Sequence, residues 1–357
     1  MAPPKPKSKT KPTKKSTSKT NQAKTSSSHD APMSSLPPDL QQLLLNIFKN
    51  AFPETISSDL KPLLQEIKGH LYNRDFATAF GKESYLEAYA LRWSPSRALC
   101  YLQVFNDLKD ELNLKSLQGK SGEADTEPAT WNVTCLGGGA GAEIVALAGL
   151  MKMLEVADSA HAPYMRVSAI DIADWKRVVT TLTTGSVTAP PISKYASAAV
   201  QAANEALTDA EKFSVAFHQH DVLNLENSTL EKIVQGADLV TLMFTLNELY
   251  TASLSLTQKF LLNLTTCLAP GARLLVVDSP GSYSSVSLNG AEKKYPMQWL
   301  LDHTLLSTGT TRGVLEEAKW EKIKEEESTW FRLGEGLRYP IELEHMRYQL
   351  HLYQRLG

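Results

Sequence analysis

After residue 130 the chain alternates short apolar runs with amphipathic segments, a pattern typical of parallel strands joined by helices. The apolar runs predict strands at 131–136, 165–170, 214–219, 239–244 and 273–277. The intervening segments predict helices at 142–157, 175–183, 194–207, 255–267 and 296–306. Two more strands, 328–333 and 346–353, close the chain. We therefore predict an α/β fold with a Rossmann-like, seven-stranded, mostly parallel sheet and a terminal hairpin.

Residues 37–116 carry apolar positions at helical spacing and predict an N-terminal helical region. Helices are expected from Pro38, over 60–71 and 83–93, and from Ser94 to about Leu112. We expect Ser94 to cap the last helix, with Pro95 at its first position. The polar residues 117–130 predict a linker to a domain spanning 131–357.

Residues 1–36 consist mainly of Lys, Ser, Thr and Pro and predict a disordered tail, because they have almost nothing to bury. Eight lysines and no acid lie in residues 1–29, which leaves 29 basic and 39 acidic residues in the rest of the chain. Such a tail favours a nuclear or nucleolar address, or an arm that binds RNA without sequence preference. A solubilising tail and a cytoplasmic protein are the alternatives.

The composition argues against several classes of protein. The three cysteines lie far apart in sequence, which favours a reducing compartment over a disulfide framework or a cysteine zinc site, and we expect no metal. No apolar run reaches about 18 residues, so we expect no membrane span. The N-terminus lacks the apolar segment of a secretory signal.

A glycine-rich turn follows the first predicted strand and precedes the first helix of the sheet. Its glycines are Gly137, Gly138, Gly139 and Gly141. Glycine adopts positive φ and lets a ligand approach the backbone, and the following helix directs free N–H groups at the turn. The order strand, turn, helix therefore predicts a nucleotide-cofactor loop. Because Gly137, Gly139 and Ala142 also match the dinucleotide pattern GxGxxA, the loop alone leaves NAD open.

Two acids favour S-adenosylmethionine (SAM) over NAD. Asp171 follows the second strand and Asp221 the third, which fits one carboxylate on ribose hydroxyls and one on the adenine amino group. The glycine loop also follows a helical region instead of opening the chain, and no second nucleotide-binding half is visible. The plan of seven strands with a terminal hairpin is that of the class I SAM-dependent methyltransferases.

Four runs give the chain a more specific resemblance: YLEAYALRWSPSRALCY, CLGGGAGAEIVAL, FTLNELY and MRYQLHLY. With them, residues 38–357 resemble the fungal family of large-subunit ribosomal RNA uridine-N3 methyltransferases. The resemblance implies that the loop glycines hold the methionine end of SAM, that Asp171 holds the ribose, and that Asp221 and Val222 contact the adenine. The wider class often has an acid two positions before the first glycine, where this chain has Cys135. Either Glu143 compensates or backbone carbonyls hold the amino group of the cofactor.

The resemblance also implies ribosomal RNA, or a pre-ribosomal particle, as the partner. N3 of uridine carries a proton at neutral pH, so the transfer requires a proton acceptor near the carboxyl ends of the fourth and fifth strands. Glu248 is the first candidate, with Asn247 orienting the base, and Asp278 or His303 are alternatives. A methyltransferase of protein or of a small molecule, an NAD-dependent oxidoreductase and a non-catalytic assembly factor remain competing hypotheses.

Two arginines beside Trp93, Arg92 and Arg97, allow two interpretations. They are either solvated at a helix start or contact a phosphate or a cofactor carboxylate. Tyr250, Tyr283 and Trp299 are candidates for stacking on the target base, with core packing as the alternative for each.

Overall fold

The computed structural model describes residues 34–57, 59–114, 129–157, 163–198, 201, 204–281, 283–288, 291–307, 310–311, 314–315 and 317–357. Most of the predicted tail and all but the last two residues of the predicted linker lie outside these ranges. The described end of the tail is held in place, because the N–H of Ser34 donates to the carbonyl of Arg332 at 3.1 Å and Leu36 is buried. Residues Ser34 and Leu36 therefore contact the folded part of the chain, and the boundary at residue 36 stays a prediction.

In the described chain, six helices precede the first strand of the sheet. They are α1 (Pro38–Ala51), α2 (Pro53–Ser57), α3 (Leu60–Tyr72), α4 (Phe76–Ala79), α5 (Glu83–Arg92) and α6 (Ser94–Asp107). The apolar stripe of α1 faces inward, with Leu44 and Phe48 fully buried, as its helical spacing predicts. The prediction that the N-terminal region is helical is thus confirmed.

The sheet has seven strands in the order β3-β2-β1-β4-β5-β11-β10. Its strands are β1 (Thr130–Leu136), β2 (Tyr164–Asp171), β3 (Phe213–Gln219), β4 (Leu239–Met243), β5 (Arg273–Asp278), β10 (Trp320–Phe331) and β11 (Met346–Arg355). The first five are parallel, and β11 runs antiparallel between β5 and β10. The predicted fold class and terminal hairpin are confirmed.

Helices cover both faces of this sheet. The connecting helices are α7 (Ala142–Ala157), α8 (Lys176–Val187), α9 (Asn227–Val234), α10 (Leu246–Ala252), α11 (Leu254–Cys267) and α12 (Met297–Leu306). One face packs against α1, α6, α7 and α8, and the other against α9 to α12. None of the helices described is long and apolar enough to cross a membrane.

The N-terminal helices share the core of the sheet. A Cβ at Gly149 of α7 would lie 3.0 Å from Leu102 of α6 and 3.2 Å from Leu44 of α1, so these three helices approach closely at this glycine. Residues from Pro32 to the C-terminus form one compact unit. The predicted division of the chain into a helical region, 37–116, and a separate domain, 131–357, stays a prediction.

Four details of the predicted elements are wrong. The helix expected from Ser94 to about Leu112 ends at Asp107. Strand β10 begins at Trp320 instead of residue 328. Its first half is rich in charged residues, which an edge strand tolerates, so the pattern of apolar residues did not indicate a strand there. The predicted helix 194–207 does not span its range, since Lys194 and Tyr195 form a turn and residues 204–206 are not helical. Ser94 is the first residue of α6 and not its cap, and its hydroxyl donates to the carbonyl of Ala140 at 2.7 Å.

Two strand pairs were not predicted. The segment after β5 forms a hairpin of β6 (Tyr283–Leu288) and β7 (Ala291–Pro296), and a second pair joins β8 (Thr310–Thr311) to β9 (Val314–Leu315). The first hairpin leaves the carboxyl end of β5 and packs against α10. It therefore lies beside the edge of the sheet at which the predicted site residues meet.

Candidate active site

The predicted site residues converge on one edge of the sheet, where the carboxyl ends of the five parallel strands meet. The glycine loop follows β1, Asp171 ends β2, and Asp221 lies just after β3. Asn247 and Glu248 follow β4, and Asp278 ends β5. Open α/β sheets bind their ligands at this edge, near the point where the strand order reverses. Here the reversal falls at β1 and β4.

The glycine loop depends on the absence of side chains. Gly137 and Gly141 have φ values of 78° and 80°, a region that favours glycine. A Cβ at Gly137 would lie 2.7 Å from the Cγ2 of Thr245, and one at Gly141 would collide with Leu182. The N–H of Gly137 also donates to the carbonyl of Ile170 at 2.8 Å. The loop is thereby fixed between β2, β4 and α8.

Aromatic side chains from the N-terminal helices support the same loop. A Cβ at Gly139 would collide with the ring of Trp175, which is buried. The Trp175 ring lies 5.4 Å from that of Phe80 and 5.7 Å from that of Tyr89, measured between centroids. Helical residues before the sheet therefore help to shape the loop, an arrangement that local sequence patterns do not encode.

Asp171 bonds directly to the glycine loop. Its carboxylate accepts hydrogen bonds from the N–H of Gly139 at 3.1 Å and of Ala173 at 3.2 Å. Burial raises the pKa of Asp171 to about 6, against the lowering effect of these bonds. The group is ionised at neutral pH, and a carboxylate with two donors keeps acceptor capacity for a diol.

Asp221 and Val222 lie in the turn after β3. The Asp221 carboxylate accepts from the N–H of Leu223 at 3.0 Å and from the side-chain amide of Asn224 at 2.6 Å. Val222 is half-buried against the core under α9 to α12. The turn is anchored to the second strand, because the N–H of His220 donates to the carbonyl of Asp171 at 2.8 Å. The two predicted acids therefore belong to adjacent strand ends.

Glu143 places a carboxylate beside Cys135, under the glycine loop. It is 3% exposed, and the Thr241 hydroxyl donates to it from β4. Burial raises its pKa to about 7, and the bonds from Thr241 and Cys135 oppose the shift. A Cβ at Gly138 would lie 3.1 Å from Glu143 Oε2 and 2.7 Å from Cys135 Cβ. The contacts of Glu143 thus brace the loop from the sheet side.

Asn247 and Asp278 join the ends of β4 and β5. The buried Asp278 carboxylate accepts from the N–H of Asn247 at 3.0 Å and of Ser279 at 2.7 Å. Burial raises the pKa of Asp278 to about 6, a shift that Glu248 increases and Arg97 opposes. The half-buried Asn247 side-chain amide has no hydrogen-bond partner in the described part of the chain, which leaves its donors and acceptor for a ligand.

Glu248 forms an ion pair on the surface. Its carboxylate lies 3.0 Å from the guanidinium of Arg74, and 41% of the Glu248 side chain is exposed. His303 is placed differently, since it is exposed on α12, with its ring tilted by 31° against that of Trp299 and 5.1 Å between the centroids. Of the three proposed proton acceptors, Glu248 and Asp278 therefore lie at the strand ends.

The other predicted side chains are divided between core and surface. Arg92 is only 7% exposed and Arg97 is half-buried, so the interpretation as solvated arginines is wrong for Arg92. Tyr250 is buried in the core under α10, which makes packing its role. Tyr283 and Trp299 are about half exposed.

The groups at this edge fit SAM. An ionised Asp171 suits a ribose diol, and the first-turn N–H groups of α7 have no intrahelical partner and can face a ligand over the loop. The positive φ of Gly137 and Gly141 keeps that loop compact enough for close approach. This donor and acceptor set agrees with the cofactor predicted from the two acids.

Comparison with known proteins yields a family and a relative that span most of the chain. The model of a family of SAM-dependent methyltransferases matches residues 48–354. A Saccharomyces cerevisiae protein, 25S rRNA (uridine(2843)-N(3))-methyltransferase, is 36% identical over 341 residues, which cover 90% of this chain and 86% of the yeast protein.

Solved structures show weaker likeness. An O-methyltransferase family protein from Burkholderia thailandensis is 14% identical with a TM-score of 0.35, over 84% of this chain and 74% of that one. The N-methyltransferase NodS from Bradyrhizobium japonicum, in complex with S-adenosyl-L-homocysteine, is 12% identical with a TM-score of 0.29, over 70% of this chain and 87% of that one.

Proposed function

Because the chain belongs to this family of SAM-dependent methyltransferases, we propose that it methylates N3 of a uridine in large-subunit ribosomal RNA. The observation that carries the proposal is the similarity to the yeast uridine-N3 methyltransferase over nearly the whole of both chains. The site supports the proposal, since the half-buried side-chain amide of Asn247 and the buried carboxylate of Asp278 lie together at the ends of β4 and β5.

The cofactor site of the proposal uses the carboxyl ends of β1 to β3. Gly137, Gly138, Gly139 and Gly141 form the cradle for the methionine end, with Glu143 bracing it from below. The Asp171 carboxylate accepts hydrogen bonds from the ribose hydroxyls. Asp221 and Val222 contact the adenine from the turn after β3.

The chemistry requires a positioned base and a proton acceptor. SAM, held by the glycine loop, Asp171 and Asp221, would supply an activated methyl group for N3 to accept. Asn247 orients the edge of the base through its free side-chain amide. Asp278 accepts the N3 proton, because its pKa of about 6 combines ionisation at neutral pH with better basicity than an ordinary carboxylate. Glu248 is the alternative acceptor, and its carboxylate is already paired with the guanidinium of Arg74 on the surface.

The substrate must expose its Watson–Crick edge, on which N3 lies. The target is therefore single-stranded or flipped out of its stack. Since residues 30–357 carry more acidic than basic residues, the lysine-rich tail and local arginines supply the attraction to RNA. We place the protein in the nucleus or nucleolus with pre-ribosomal particles, the compartment to which such a tail can direct it.

A reaction of purified components tests this function. Full-length protein is incubated with SAM carrying a labelled methyl group and with large-subunit RNA from cells that lack the gene. Labelled 3-methyluridine in the nucleoside digest is the expected product. A label in protein, or in another nucleoside alone, would overturn the assignment of the substrate while keeping that of the cofactor.

A further inference from the structure

A cavity of about 200 Å³ lies next to the proposed cofactor site, on the side of β4 and β5. Its wall includes Trp93 at the end of α5, Arg97 on α6, Phe244 after β4, and Glu344 to Arg347 around the start of β11. Because β11 runs antiparallel to β5, its first residues lie beyond the carboxyl end of β5. The cavity therefore opens at the edge of the sheet that holds the reacting groups.

The cavity combines flat aromatic walls with guanidinium groups. Arg97 lies 5.4 Å from the ring centroid of Phe244, and Arg92 lies 5.7 Å from that of Trp93. Phe244 has a φ of 59°, a conformation rare for an aromatic residue, and strain of this kind clusters at functional sites. Binding sites for drug-sized ligands reach about 300–1,000 Å³, so this smaller cavity suits a group the size of one pyrimidine base.

One donor in the wall lacks a partner among the residues that the structure describes. Arg92 pairs through Nη2 with Glu344, yet its buried Nη1 has no hydrogen-bond acceptor among the described residues. Arg97 donates from Nη1 to the Tyr89 hydroxyl at 2.7 Å, which leaves further N–H groups of its guanidinium. A buried donor without a partner costs free energy, which a ligand acceptor would recover. Its position therefore points to a ligand with acceptor oxygens.

We propose that this cavity receives the flipped uracil base, with Arg92 and Arg97 donating to its O2 and O4 carbonyls. The proposal rests on the function proposed above. N3 lies between these two carbonyls, and loss of its proton spreads negative charge onto both oxygens. Guanidinium donors on those oxygens stabilise that charge and ease the proton's transfer to the acceptor.

The same arrangement selects uracil over cytosine. Cytosine presents an amino group in place of O4, so a guanidinium would meet a donor where it needs an acceptor. Sites built on such hydrogen bonds reject the mismatched ligand strongly, because a buried polar group is left unpaired.

The surface beside the cavity suits the rest of an RNA strand. Trp330, at the end of β10, is 37% exposed, and the guanidinium groups of Arg332 and Arg347 lie 4.5 Å and 5.8 Å from its ring. Arg347 also lines the cavity. An exposed aromatic ring with arginines near it is a typical platform for an unpaired nucleotide. The flanking nucleotide can thus rest outside while the target base enters.

The first test compares Arg92→Lys and Arg97→Lys with Arg338→Lys, an exposed arginine of the segment before β11, as the matched control. Full-length variants are assayed for 3-methyluridine formation, for SAM affinity by calorimetry and for RNA affinity. We expect kcat/KM to fall about tenfold or more in the two cavity variants, with both affinities within about twofold of wild type. The control should match wild type throughout.

Three results would overturn the inference. A parallel loss of SAM affinity would place the cofactor's carboxylate in the cavity, and a loss of RNA affinity with unchanged kcat would assign the arginines to phosphates. Unchanged kinetics would remove any role in the reaction. A wild-type protein that forms no 3-methyluridine would instead contradict the proposed function, and this inference with it.

A second measurement uses the wild-type protein and so does not depend on the folding of variants. The target uridine of the RNA is replaced by 4-thiouridine and irradiated in complex with the protein. Crosslinks to Trp93, Phe244 or Arg97 support the inference. Crosslinks confined to other parts of the chain contradict it.

Discussion

The Asp171 carboxylate accepts a hydrogen bond from the N–H of Gly139 at 3.1 Å, so the acid after β2 and the loop after β1 form one unit. A carboxylate that holds the loop can also receive the ribose of the cofactor. Binding of SAM should therefore depend on the loop and on Asp171 together. The predicted site residues lie apart in the sequence and meet only because parallel strands end at one edge.

Substitution of Asp171 should weaken SAM binding without unfolding the protein. We expect Asp171→Asn to raise the Kd for SAM about 10- to 100-fold, the range for loss of a charge-assisted hydrogen bond. Calorimetry measures it, with Asp174→Asn, an exposed acid three residues away, as the control. Because the pKa of Asp171 is about 6, wild-type affinity should also fall as the pH drops below about 6. If the SAM affinity of wild type did not change with pH and Asp171→Asn bound SAM as tightly as wild type, Asp171 would have no role in binding the cofactor.

The proton acceptor can be identified by comparing two carboxamide variants. If Asp278 accepts the N3 proton, Asp278→Asn should lower kcat about 10²- to 10⁴-fold, the usual contribution of a general base. Glu248→Gln should then reduce kcat much less, and wild-type kcat should rise with pH through about 6. The reverse order of the two variants would make Glu248 the acceptor.

Much of this site could be predicted because its signals are local. The glycine turn, the acids after strands and the apolar runs each occupy a few consecutive residues, and the helix Ala142–Ala157 has the bounds that its sequence predicts. The parallel arrangement of the first five strands followed from the alternation of strands and helices. These features depend on neighbours along the chain, which the sequence displays directly.

The features that could not be predicted depend on contacts between distant residues. The Thr241 hydroxyl reaches Glu143 across 98 positions, and Arg92 reaches Glu344 across 252. Nothing near Arg92 in the sequence shows whether it is solvated or buried, since its environment is made by the segment before β11. The same holds for Ser94, whose bond to Ala140 replaced the expected cap.

Glu143 makes the stability of the protein depend on pH. Burial raises its folded-state pKa from 4.5 to about 7, so the folded protein binds a proton that the unfolded chain releases. This contribution to stability is fully present below pH 4.5 and is lost as the pH rises through about 7. Relative to Glu143→Gln, wild type should lose up to about 1.4 kcal/mol of unfolding free energy per pH unit across this window. Denaturant titrations at pH 5, 6, 7 and 8 measure the difference, and one that stays constant would contradict the assigned protonation.

Removal of the basic tail should affect RNA binding alone. A variant lacking residues 1–29 loses eight lysines, so its RNA affinity should fall and its dependence on salt should become shallower. Its SAM affinity should equal that of the full chain, because the residues of the proposed cofactor site lie between 137 and 222. Filter binding at several salt concentrations provides the measurement, and an unchanged RNA affinity at low salt would exclude the tail as an RNA arm.

The central claim is that this chain places a methyl group on N3 of a uridine in large-subunit ribosomal RNA. Mass spectrometry of nucleosides from that RNA tests it most directly, in cells without the gene and in the same cells complemented with wild type or with Asp171→Asn. We predict that 3-methyluridine decreases in the deletion, returns with wild type and stays low with the variant. An unchanged amount of 3-methyluridine in the deletion would contradict the claim.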